Sequence, residues 1–278
     1  MSRGIELKVP DQVRVMRRAG LVVAEALDAM GAAVRPGVST HELDQIGREV
    51  LATNGATSSF LNYGAQWGYP PYPAVACISV NEAIVHGIPD DRVLNEGDLV
   101  SIDFGAIVDG WHGDAARSFL VGEVSERTRK LASDTGASMW AGIAAARVGG
   151  RVGDISSAIE ASIRASDPSY GIIREYTGHG IGSSMHMEPD VPNHGRRGRG
   201  PKLVEGMCLA IEPMLTLGTE EAVTLDDDWT VVTADGSWAA HWENTIWISK
   251  AGLWVLTEPD GGEAMLAESG VSFAPLAD

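Results

Sequence analysis

The chain has 278 residues, 44% of them hydrophobic, enough for a sizeable core in one large domain or two small ones. Its formal charge of −17 and pI near 4.7 disfavour general binding to nucleic acid or to an anionic membrane, and no apolar run approaches the roughly 20 residues of a membrane span. Two cysteines, Cys77 and Cys208, with no N-terminal apolar segment of signal type, set the expected location as a reducing cytoplasm.

In chain order, an alanine-rich helix is predicted from about Val13 to Val34. Ser39 and Glu42, at capping-box spacing, open a second helix that runs to about Asn54. A strand-like Ala76–Val80 precedes His86, which stands just before a turn. Leu99–Val108 and Trp111–Val121 flank Asp109-Gly110, the dipeptide of a two-residue type I′ hairpin. A tight turn sets Val108 against Trp111 and Asp114 against Gly105. Asp103 then lies diagonally from Asp114 on one face, about 7–8 Å away, with Gly105 expected to leave the space between them open.

Helices near Ser125–Arg147 and Asp154–Ala165 follow, and Ala144–Gly149 repeats the pattern of Ala32–Gly37. The glycine-lined stretch Gly178–His186 carries His179 and His186. The basic run Arg196–Lys202 reads as a solvated loop. Leu203–Glu212 then aligns without a gap on Leu94–Asp103, each with Glu-Gly leading into an apolar strand that ends on an acid. Glu243 completes a second acid pair with Glu212, so acid-bearing hairpins are expected in both halves. The segment from 258 to 278, rich in Gly, Asp and Ala, is expected as a peripheral tail after a single domain spanning 1–257.

Two helix-helix-hairpin units imply an α+β fold with a pseudo-twofold axis around a central antiparallel sheet, the acids at its centre. Two unit charges 4 Å apart repel by about 4 kcal/mol at an effective dielectric near 20, so such a cluster calls for cations. Of the remaining histidines, His41 reads as helix surface, His194 as loop, and His112 as a structural neighbour of Asp114.

The segments His86-Gly87-Ile88-Pro89, Ile102-Asp103-Phe104-Gly105, Asp109 to Asp114, Gly178 to Gly182, Met185 to Pro189, Ala210-Ile211-Glu212-Pro213 and Trp242-Glu243-Asn244-Thr245 together closely resemble the type I methionine aminopeptidases of bacteria, from about residue 8 to 257. The resemblance implies the pita-bread fold and two divalent ions, drawn from Co, Mn, Fe and Zn, held by Asp103, Asp114, His179, Glu212 and Glu243. It implies removal of the initiator methionine from nascent polypeptide N-termini ahead of a small second residue, by a hydroxide generated between the two ions. His86, His186 and Glu212 would be the catalytic groups, Glu212 moving the proton, and Tyr72, Cys77, Met185 and Trp229 would line the methionine pocket, with Tyr69 a further lining candidate. A monomer is expected, and a transient ribosome contact, against which the acidic loop Thr219–Asp228 counts. Three departures from the family stand out: a longer, aromatic-rich Asn62–Pro73, and His241 and Asn244 where glutamine and histidine are common. The rival readings are a prolidase-like pita-bread hydrolase and a non-catalytic pita-bread module that binds peptide.

Overall fold

The computed structural model describes residues 4–167 and 169–277. Helix α1 (Pro10–Ala33) starts three residues earlier than its apolar periodicity suggests, because Pro10 needs no N–H at the first helical position and Gln12 accepts from the Val9 N–H at 2.9 Å. Helix α2 (Thr40–Asn54) opens on the expected box: Glu42 N donates to Ser39 Oγ and Ser39 N to Glu42 Oε2. It closes on Gly55 in the left-handed region. Ser125 caps α3 (Glu126–Ala145). Helix α4 (Val152–Ser166) begins two residues before Asp154, since that carboxylate accepts from the Arg151 N–H as a third-position residue rather than a cap.

The first half packs α1 and α2 on an antiparallel sheet of β1 (Ala76–Val80), β2 (Leu99–Val108) and β3 (Trp111–Leu120), with Thr57–Ser58 beside the far end of β2. The β2–β3 register is the predicted one, Val108 against Trp111 and Gly105 against Asp114, and Asp109 and Gly110 both take positive φ. The second half packs α3 and α4 on a five-stranded antiparallel sheet. It contains β4 (Gly178–Gly180), β5 (Met187–Val191), β6 (Cys208–Ile211), β7 (Asn244–Ile248) and β8 (Leu253–Val255), in spatial order β8-β7-β6-β4-β5.

Matched backbone bonds express the repeat. Gly37 N donates to Leu94 O and Gly149 N to Leu203 O; Gly97 N donates to Val121 O and Gly206 N to Ile248 O. These four glycines have φ between 91° and 94°, the left-handed turn that each Gly position supplies without a Cβ penalty. One expectation is corrected. The second acid pair does not sit on a hairpin, because β6 and β7 are paired but separated by a 212–243 excursion that builds four short strands.

The two sheets meet along β3. Ala116 and Glu243 exchange both backbone bonds, N–H to O=C, at 3.3 and 2.9 Å. On one side of that bridge Ser118 Oγ bonds the His241 backbone, and on the other Thr245 Oγ1 bonds the Asp114 backbone. Side-chain hydroxyls thus extend a single bridge into a seam, replacing ladder bonds that the sheet twist would otherwise leave open. Arg117 reinforces it: Nη1 donates to the carbonyls of Ala116 and Glu243, while Nη2 binds Asn244 Oδ1 and pairs with Glu258. The segment after residue 257 is accordingly docked, through Glu258 and through Leu266 and Phe273 on the second core. Among the described residues, no helix is long and apolar enough to cross a membrane.

Helix α1 approaches β3 at two glycines. A Cβ on Gly113 would lie 2.7 Å from Gly20 N, a backbone atom that cannot swing aside. Gly113→Ala should therefore cost about 1–3 kcal/mol of stability by overpacking, read as a lowered urea midpoint. Glu258→Ala removes the carboxylate partner of the partly buried Arg117 guanidinium, which keeps its carbonyl and Asn244 acceptors, and should cost about 2 kcal/mol in the same measurement.

Candidate metal centre

The registers set the acids in one row. Asp103 on β2 pairs with Ala116 on β3, Ala116 bridges Glu243, and continuing the β6–β7 register by one residue sets Glu243 against Glu212. Opposed residues of an antiparallel sheet share a face, so all three carboxylates point the same way, joined by Asp114 two residues along β3. His179 enters diagonally from Glu212, because it pairs with Ala210 on β6. Cys77 on β1 opposes Asp103 and ends the row.

Ala116, buried and small, occupies the middle of this row. The space expected above Gly105 is in fact filled: a Cβ there would meet Ser59 and Phe60 within 3 Å, and Ser59 N donates to Gly105 O. Gly105 therefore admits the wall of the neighbouring cavity, and the room among the acids comes from Ala116.

Donor atoms of Asp114, His179 and Glu243 lie within 4.8 Å of one another, as do those of Glu212, His241 and Glu243. Asp103 adjoins through Asp114, and all five expected ligands converge. Burial, then the charge of neighbouring acids, pushes Asp103 and Glu243 well above the ordinary carboxylate range; Glu212 is raised by burial and Asp114. Asp114 is pushed up to about 7, chiefly by burial.

The donor set fits cations. Asp103 Oδ1, Asp114 Oδ1 and Glu243 Oε1 are buried without a hydrogen-bond partner among the described residues. His179 Nδ1 donates to Gly180 O, which leaves a lone pair on Nε2 facing Glu212 Oε1 at 3.4 Å. Burial holds that imidazole neutral, down to about 4. Two acceptors at that distance repel unless a positive centre lies between them, and the bond on the other ring nitrogen fixes the tautomer that ligation needs.

His86 and His186 lie outside this cluster on the wall of a cavity of about 560 Å³ that the acids floor. His86 takes φ 60°, an uncommon left-handed backbone, and its ring meets Tyr176 and Trp229 edge-on. His186 sits 4.3 Å from His179, centroid to centroid, and its Nδ1 is 2.5 Å from the Tyr63 hydroxyl. Tyr72, Cys77, Met185 and Trp229 line the cavity, packed with Phe60; Tyr69 is 65% exposed and lies off it. Tyr72 donates its hydroxyl to carbonyls of Ala76 and Gly87, so it offers only its ring.

Sequence reasoning missed four groups here. Phe60, Tyr63 and Tyr176 carry no periodic signal, although the aromatic crowding of 62–73 pointed to the region. His241, noted only as a departure, places Nε2 3.8 Å from Glu212 Oε2. His112 bonds Ser59 Oγ through Nδ1 at 2.9 Å, a structural role as expected.

The model of metallopeptidase family M24 matches residues 14–250. The chain belongs to metallopeptidase family M24. It is 52% identical over 251 residues to methionine aminopeptidase 1 of Mycobacterium tuberculosis, covering 88% of this chain and 92% of that one. It is 47% identical over 254 residues to a methionine aminopeptidase of Clostridium acetobutylicum, covering 91% and 98%. The crystal structure of methionine aminopeptidase from Thermotoga maritima superposes with a TM-score of 0.87 at 38% identity, covering 91% of this chain and 99% of that one. The architecture is the pita-bread fold, and membership of the family implies divalent metal ions.

A cation must displace protons to enter. Between the unfolded carboxylate range near 4 and the folded value of about 7, Asp114 keeps a proton that the unfolded chain has lost, so in cation-free protein its stabilising contribution falls as pH rises through that window. Mn²⁺ added at one fixed concentration, 100 times its Kd at pH 7.5, should stabilise there by about 2.7 kcal/mol, roughly 5–10 °C in melting temperature. The shift should be larger at pH 7.5 than at pH 5.5 and absent in Asp114→Asn; calorimetric melts at both pH values check it.

Proposed function

We propose that the protein is an exopeptidase that removes the N-terminal methionine of nascent polypeptides ahead of a small second residue. In this reading two divalent cations would be held by Asp103, Asp114, His179, Glu212 and Glu243, the acids and imidazole that meet at the seam. The observation that carries the proposal is one cavity whose floor is the carboxylate row and whose wall is Phe60, Tyr72, Cys77, Met185 and Trp229. An apolar wall edged with aromatic rings and a thioether suits a methionine side chain, whose sulfur gains from ring contacts.

When bound, the cations supply Lewis acidity, lowering the pKa of an attacking water and polarising the scissile carbonyl. The rest follows from the chain's own groups. Tyr63, its hydroxyl raised to about 12, keeps its proton and donates it to His186 Nδ1. The proton of the His186 ring then sits on Nε2, and burial holds the ring neutral, down to about 3. A neutral Nε2–H is a donor for the carbonyl oxygen as it gains charge. His86, held neutral in the same way with a value near 4, lines the same cavity and in this reading steadies the departing nitrogen. Glu212, at the end of the acid row and open to the cavity, takes the proton of the water and returns it to that nitrogen. Specificity for chain ends follows from a free α-amine, the substrate group that the cation-bearing floor would recognise.

The loop Thr219–Asp228 exposes Glu220, Asp226, Asp227 and Asp228, a charge that opposes docking on ribosomal RNA. Protein loaded with Mn²⁺, Fe²⁺ or Co²⁺ should release methionine from Met-Ala-Ser and not from Met-Leu-Ser. Glu212→Gln should lower kcat by about 10²–10⁴. No release with any of these metals would sink the proposal.

A further inference from the structure

The aromatic-rich stretch Asn62–Pro73 forms a loop closed at its base by backbone bonds between Asn62 or Tyr63 and Tyr72. Gly64 and Gly68, both at positive φ, bracket a short 3₁₀ turn, Ala65–Trp67. The loop is tied to the site rather than to solvent: Trp229 Nε1 donates to Pro70 O at 3.0 Å, and a Cβ on Gly64 would lie 2.8 Å from the Trp229 ring. Yet two of its aromatic side chains stay uncovered, Trp67 at 60% and Tyr69 at 65% exposure. With Trp229 and Tyr176 they wall a second cavity of about 280 Å³, which adjoins the first across Tyr63, His86, Tyr176 and Trp229.

Asp228 is the one carboxylate lining this cavity, and neither a lysine nor an arginine lines it. No cation pairs with the Asp228 carboxylate among the described residues, whereas its neighbour Asp227 is spent on Trp229 N and on Thr230. Aromatic faces beside an unpaired acid attract a cation through the ring quadrupole and the charge together.

In an extended peptide, side chains of the first and third residues point the same way, about 7 Å apart, which is room for one aromatic ring with van der Waals contact on both faces. Trp229 lines both cavities. Resting on the activity proposed above, we propose that the second cavity is a subsite for the third residue of the substrate, with lysine or arginine as its occupant. The methionine lies on one side of Trp229, and the stem of the basic side chain lies on the other, against Trp67, with its head toward Asp228.

The test uses metal-loaded enzyme and four peptides, Met-Ala-Xaa-Gly amide with Xaa as Lys, Ser, Glu or Trp. Lysine should exceed serine by about fivefold to twentyfold in kcat/KM, mostly through KM, and glutamate should fall below serine. Asp228→Asn, which tolerates the same backbone, should lower the lysine-to-glutamate ratio severalfold, and Trp67→Ala should lower the lysine-to-serine ratio. Equal kcat/KM for lysine, serine and glutamate with methionine still released overturns the subsite and leaves the activity standing. A preference for tryptophan that ignores Asp228→Asn also overturns it, since the occupant would then be apolar. Should no peptide release methionine, the activity itself fails, and equal calorimetric dissociation constants for the lysine and serine peptides would overturn the subsite independently.

Discussion

Four carboxylates crowded on one buried face repel each other, and the architecture exists to hold them there nonetheless. Each acid alone would neutralise by taking a proton, as the raised values of Asp103, Asp114, Glu212 and Glu243 record. Only a cation lets all of them keep their charge together, so the tension in the protein without metal and the affinity for metal are one quantity seen from two sides. Neutral imidazoles around the row, His179 and His241 among them, add lone pairs without adding further negative charge.

Rigid support is what turns such a cluster into a site. Three of the acids share one register row, and each strand of that row is anchored in its own half: Asp103 in the hairpin under α1, Glu212 in the sheet under α3 and α4. The seam at Ala116 and Glu243 fixes the distance between halves, and Arg117 binds the two carbonyls of that bridge from behind. The guanidinium is itself held by Asn244 and Glu258 and stacked on Trp242, with its centre 5.2 Å from the ring. Asn244 therefore belongs to this buttress, its side chain turned away from the acids toward Thr257 and Glu258.

Local chemistry made much of this legible in the sequence. The Asp109-Gly110 turn determines the hairpin register outright, and with it the placement of Asp103 against Asp114. The Ser39–Glu42 box marks its helix start to the residue, and the repeated Glu-Gly strands reveal the symmetry. What escaped was contact between parts of the chain with no shared period. The pairing of Ala116 with Glu243, the filling of the space at Gly105 by Ser59 and Phe60, and the bond from Tyr63 to His186 all join segments far apart in sequence. The same holds for the docking of residues beyond 257: a stretch low in large side chains looks unattached, but a single carboxylate, Glu258, meets a buried guanidinium.

The seam has a bearing on how such a site can arise at all. Each half contributes one strand pair with two acids, and the two pairs meet at the single bridge between Ala116 and Glu243. A lone half associating with a second copy of itself about the pseudo-twofold axis would already set two acid pairs face to face. The connection at 122–125 then need only join two partners that fit, after which the copies are free to diverge. One kept the tight hairpin; the other spent its turn on the long 212–243 excursion that carries Trp229 and His241. The carboxylate floor draws equally on both halves, whereas the walls around it come from segments that the halves do not share.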